Sequence, residues 1–213
     1  MSLETMVLLA ILTALVVVLQ LVGAFIRFGM FSISLVLLPI VVGAATCGIG
    51  AGAWLGLVFG IVVLLSGDAT AFLTVDPFGT IVTVLVKGTA CGLAAGLIYK
   101  PLDKLCAVWS ENIKSIKTKW LHKAVVGIIK YLPVVAAAIV CPVVNTGIFL
   151  IGCVVFFLDT VAEWGAALGF SNAAEYMFIG LAGGNFLFEL ATNLVLSPIV
   201  VRLLDIRKST KRK

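Results

Sequence analysis

GIGAGAWLGLVFG (48–60) and its echo GTACGLAAG (88–96) decide the fold. Gly52, Gly56 and Gly60 stand four apart, as do Gly88, Gly92 and Gly96. Residues four apart share one helix face, so each segment presents a groove without side chains. In lipid no hydrophobic drive pulls helices together. Small residues let backbones approach closely, and dispersion contacts then hold them. Two such ladders on neighbouring spans predict the packed spine of a membrane protein. The alternative is a pair of glycine-rich spans without mutual contact.

Composition points the same way. The 213-residue chain is 62% hydrophobic and 12% charged, with a mean hydropathy of +1.23. A soluble domain of this size cannot hide so much apolar surface, whereas a bundle of lipid-spanning helices can. The net charge of +5 raises the question of nucleic acid, and its distribution answers it. Of the 15 basic residues, 12 fall within 100–123 and 202–213, beside apolar spans. That placement fits a membrane surface and no nucleic-acid partner. Cys47, Cys91, Cys106, Cys141 and Cys153 show no CxxC spacing, so disulfide and zinc readings are both poor. The opening MSLETMVLLA carries Glu4 and no basic n-region, which reads as a retained first helix.

One membrane domain, 1–213, is therefore expected, an all-α bundle of six transmembrane helices over about 5–25, 32–46, 50–65, 78–99, 124–158 and 176–201. Arg27 and Gly29 fall in the short loop after the first span. Residues 100–123 form a basic connection in which Leu105, Val108, Trp109, Ile113 and Ile116 are spaced as an amphipathic helix lying on the membrane. The fifth segment is long: 35 helical residues reach about 52 Å against a hydrocarbon core of about 30 Å. Splitting it at Pro142 would leave an odd number of spans between the basic clusters. One crossing, kinked at Pro142, keeps both clusters and both termini cytoplasmic. Asp68, Asp76, Asp159, Glu163 and Glu175 then fall outside.

Of the polar residues within spans, four fall at one depth. Counted from the outer helix ends, Lys87, Asn145, Asn185 and Glu189 occupy one layer at roughly 13–20 Å depth. Ionisable groups at such depth are costly and rarely face lipid. Lys87 and Glu189 could neutralise each other as a structural ion pair, although such pairs seldom outperform apolar packing. The preferred expectation is a solute site open to the outside. The sequence has no GxxxxGK[ST], HExxH or GxSxG motif and no histidine within a span. An ATP motor, intramembrane proteolysis and ester chemistry therefore lack their parts, and no enzyme, cofactor or metal is expected. The glycine ladders are not an inverted pair of long repeats, which argues against an ordinary secondary transporter.

The runs FGMFSISLVLLPIVVGAATCGIGAGAWLGLVFG (28–60), FLTVDPFGTIVTVLVKGTACGLAAGLIYK (72–100) and PVVNTGIFLIG (142–152) resemble the substrate-binding S-components of energy-coupling factor (ECF) vitamin importers. The resemblance is closest to the pantothenate, folate and riboflavin branch and covers nearly the whole chain. It implies a prokaryotic plasma-membrane protein that binds a vitamin near the outer face. It also implies ATP hydrolysis by two separate ATPases and docking on a transmembrane coupling subunit through an AxxxA motif, here Ala10 and Ala14. Asn145 and the polar face of the sixth helix, Asn185, Glu189 and Asn193, match substrate-binding positions. Lys87 with Arg27 is compatible with a carboxylate substrate. Two other classes remain open: a stand-alone solute facilitator, which needs a continuous polar path, and a structural subunit whose polar layer is closed by internal pairing.

Overall fold

A computed structural model describes residues 2–25, 27–28, 31–32, 35–112 and 119–210, without the side chains of 27–28, 31–32, 111–112, 119–124 and 206–210. Among the described residues the regular structure is helical apart from one two-residue ladder. In order they form α1 (Leu3–Gly23), β1 (Arg27–Phe28), β2 (Phe31–Ser32), α2 (Leu37–Cys47), α3 (Ile49–Leu65), α4 (Thr70–Leu73), α5 (Pro77–Asn112), α6 (Lys119–Phe156), α7 (Leu158–Ala167) and α8 (Ala173–Glu175). A π-helical segment, Tyr176–Gly183, then leads into α9 (Gly184–Thr210). Among these, Leu3–Gly23, Pro77–Ser110, Val125–Phe156 and Ala173–Asp205 are long and apolar enough to cross a membrane, and α2 and α3 are shorter apolar helices.

The chain is organised around α5, which packs on α3 through the glycine ladders and on α6 through its other side. Gly52 lies against the Gly92 carbonyl and Gly56 against the Gly88 carbonyl, and both contacts are reciprocal. A methyl group on Gly60 would stand 2.9 Å from the Val84 carbonyl oxygen, and one on Gly96 would stand 2.8 Å from Ile49 Cα. The obstacles are mostly backbone atoms, so the helices approach as closely as glycine alone permits. The two ladders run antiparallel and form one interface.

Around this spine lies an apolar core drawn from six helices, with Val16 of α1, Ile40 of α2, Leu55 of α3, Ala95 of α5, Cys141 of α6 and Val200 of α9. A second cluster of Phe72, Phe157, Val161, Tyr176 and Leu181 sits at the end of the bundle that carries Asp68, Asp76 and Asp159. That end is referred to as the acidic end. Outward faces stay apolar: on α1, Met6, Val7, Ile11, Val18 and Val22 are exposed, as suits a lipid-facing surface. Ala10 and Ala14 lie on the exposed side of α1.

The observed elements differ from the sequence expectation in four places. The loop expected after the first span contains a short antiparallel ladder, Arg27 opposite Ser32 and Phe28 opposite Phe31. The second helix starts later, at Leu37, and its 11 residues reach only about 16 Å. It turns directly into α3 at Gly48, whose φ of 105° favours glycine. The connection expected over 100–123 is helical wherever it is described, because α5 continues through Pro101 to Asn112. A proline inside a helix removes one hydrogen bond, to the carbonyl four residues earlier, and crowds that carbonyl. Leu105, Val108 and Trp109 are exposed on this extension, while Ile113 and Ile116 lie outside the described residues. Finally, the acidic segment after α6 is folded into α7 and α8. The fifth segment is one helix through Pro133 and Pro142, with no split.

Candidate functional site

Beside the glycine ladder, α5 presents Thr80, Thr83, Val84 and Lys87, three or four residues apart and hence on one face. Opposite, α6 presents Asn145, Phe149 and Cys153, with Phe157 just beyond its end. Between them lies a cavity with about 640 Å³ of unfilled space, its opening included. About 70 Å³ of it admits the centre of a water molecule, enough for several ordered waters. Gln20 of α1, Phe59 of α3, Asp68, Phe72 of α4 and Asn185 and Glu189 of α9 complete the lining. A smaller recess, lined by Lys87, Asn145, Asn185 and the π-helical Leu181 and Ala182, adjoins it.

The walls are aromatic. Phe72 meets Phe149, Phe157 and Trp164 edge to face, with centroids 5.7, 5.0 and 5.4 Å apart. Such contacts hold large rings in defined orientations. At the acidic end, Gln20 Nε2 donates to Asp68 Oδ2 at 2.6 Å, tying α1 to the connection after α3.

The polar floor centres on Glu189, which is 2% exposed. Asn185 Nδ2 donates to its Oε1 at 3.2 Å and Asn145 Nδ2 to its Oε2 at 3.5 Å. Asn185 stands one turn before Glu189 on α9, which explains the first contact. The second bridges α6 and α9 and commits the carboxylate to two amides. Asn145 Oδ1 and Thr83 Oγ1 are buried without a hydrogen-bond partner among the described residues.

Lys87 has a different setting. Its Nζ lies over the rings of Phe149 and Phe59, 5.3 and 5.9 Å from their centroids, a cation–π arrangement. Among the described residues it makes no hydrogen bond and no ion pair within 4 Å. Lys87 and Glu189 thus line the same cavity without a direct contact within 4 Å.

Of the residues singled out in the sequence, Lys87, Asn145, Asn185 and Glu189 come together on this cavity. Asn193 does not line it: one turn beyond Glu189, it is buried with Nδ2 unpartnered, cut off where Asn145 reaches across to Glu189. The Arg27 side chain lies outside the described residues. Sequence reasoning missed Gln20, Thr80, Thr83 and the phenylalanines. Gln20, an amide in an apolar helix, and the four-residue spacing of Asn145, Phe149, Cys153 and Phe157 were the available signals.

The family model "ECF transporter, substrate-specific component" matches residues 4–204. The chain belongs to this family. No curated protein and no solved structure matches it significantly. Membership makes the chain a substrate-specific transporter component in a multi-pass membrane protein, and it gives the cavity a context. In a substrate-specific component, an open cavity with aromatic walls and a hydrogen-bonding floor is a candidate site for a small solute.

Proposed function

We propose that this substrate-specific component captures a vitamin or related micronutrient outside the cell and delivers it for ATP-driven uptake by partner subunits. The cavity between α5, α6 and α9 carries this reading, since it joins Lys87, Asn145, Asn185 and Glu189 to a shell of phenylalanines. The charge asymmetry supports the orientation: the basic ends of α5 and α9 belong in the cytoplasm with both termini, so the acidic end faces outward. The chain has no nucleotide-binding loop of its own, consistent with energy supplied by two ATPases through a transmembrane coupling subunit in a prokaryotic plasma membrane. Ala10 and Ala14, small and exposed on α1, offer a surface for that subunit's helices.

Mass spectrometry of the small molecule released from purified protein, followed by its uptake into cells expressing the chain with energising subunits, tests the reading. One vitamin-sized compound, bound one to one and accumulated only when ATPases are active, is expected. Ala14→Trp should retain that compound yet lose uptake and co-purification with the coupling subunit. Accumulation without ATPases would instead make the chain a facilitator.

A further inference from the structure

Lys87 supplies an ammonium with three donors, and among the described residues it lies over the faces of Phe149 and Phe59 with no hydrogen-bond acceptor. Glu189 and Asp68 line the same cavity, but neither comes within 4 Å of the ammonium. Glu189 is held by Asn145 and Asn185, and Asp68, at the far end of the cavity, accepts from Gln20. A charge in a largely apolar cavity without a hydrogen-bonded counter-charge is costly. The cost is removed when an anion enters, and a charge-assisted hydrogen bond is roughly twice as strong as a neutral one. A cationic group would meet repulsion at Lys87 itself. A second carboxylate would lie near Glu189 or Asp68, with no second cation among the described residues that line the cavity.

The second clue is an acceptor. Asn145 is 4% exposed, lines the cavity, and its Oδ1 receives no hydrogen bond among the described residues. A ligand with an N–H or O–H group would satisfy it. The remaining wall is apolar and asks for an apolar body.

We propose that the solute is a small organic monoanion, its carboxylate on Lys87, an N–H or O–H donor toward Asn145 and an apolar body among the phenylalanines. This rests on the cavity being the solute site. N-acetylphenylalanine, its neutral amide N-acetylphenylalaninamide and cationic phenylalaninamide share one ring and test the class. Binding of each to ligand-stripped protein in nanodiscs is measured by calorimetry and melting. The acid should bind best, with the neutral amide weaker by roughly 10- to 150-fold, the range for a hydrogen bond to a charged group. Lys87→Met should bring acid and amide within about threefold of each other, and Lys87→Arg should keep much of the preference. If Lys87→Met does not fold, Lys87→Gln serves in its place. Equal or tighter binding of the amide or the cation, or an acid preference that survives Lys87→Met, overturns the monoanion. In those cases, weakening of the bound probe by Phe149→Ala leaves the cavity standing as the site. If no probe binds the parent, or binding ignores Phe149→Ala, both readings fall.

Discussion

The two sides of α5 solve opposite problems. Toward α3 the helix presents Gly88, Gly92 and Gly96, and nothing larger fits, because their neighbours are mostly backbone. Toward α6 and α9 it presents Thr80, Thr83 and Lys87, and although Thr83 packs closely on Gly152 of α6, these residues line an open cavity. One side gains stability from close contact. The other holds polar groups without a hydrogen-bond partner among the described residues, Lys87 Nζ, Thr83 Oγ1 and Asn145 Oδ1. Closely packed backbone cannot readily rearrange, whereas unsatisfied groups wait for a partner. Rigidity on one side fixes where the other side's groups stand.

That contrast can be broken from either side. The largest effect on stability should come from Gly56→Leu or Gly92→Leu, which force side chains into opposing carbonyls. Overpacking costs about 1–3 kcal/mol, more where no side chain can yield. A clear fall in melting temperature in detergent is expected, and unchanged melting in both variants would show that α3 and α5 are not held by this seam. Glu189→Leu comes next. It strands the amide donors of Asn145 and Asn185 and should cost about 1–3 kcal/mol of stability as well as binding. Gln20→Leu should be the mildest. It removes the bond to Asp68, worth about 0.5–1.5 kcal/mol, and should weaken binding of the co-purifying solute by roughly 2- to 13-fold with little change in melting. A loss as large as that from Glu189→Leu would move the centre of the site to the acidic end.

What the sequence disclosed follows the same division. The glycine ladders were legible because a four-residue repeat is a local pattern and lipid gives small residues one dominant use. The layer of Lys87, Asn145, Asn185 and Glu189 was legible because depth in a membrane can be counted along a helix. Contacts between distant segments were not: Gln20 and Asp68 are 48 residues apart, and no periodicity announces their meeting. Nor could spacing show that Lys87 would stand over two rings instead of pairing with Glu189, since depth places groups in a layer but not around it. Asn193 misled for a related reason. It shares the polar face of α9 with Glu189, yet the cavity stops one turn short of it. The continuation of α5 through Pro101 was hidden because a proline inside a helix removes a backbone hydrogen bond and ordinarily reads as a break.

The central claim is that Lys87 is kept for a ligand and not for Glu189. A double-mutant cycle in ligand-stripped protein tests this, with melting of Lys87→Met, Glu189→Leu and the double variant measured beside binding of the co-purifying solute. The account predicts that Lys87→Met melts no lower than the parent while binding is lost, and that Glu189→Leu melts lower and is not rescued by adding Lys87→Met. If instead Lys87→Met alone loses about 3–5 kcal/mol, as expected when one partner of a buried pair is removed, and the double variant regains the parent's melting, the two residues are a structural pair and the account is wrong.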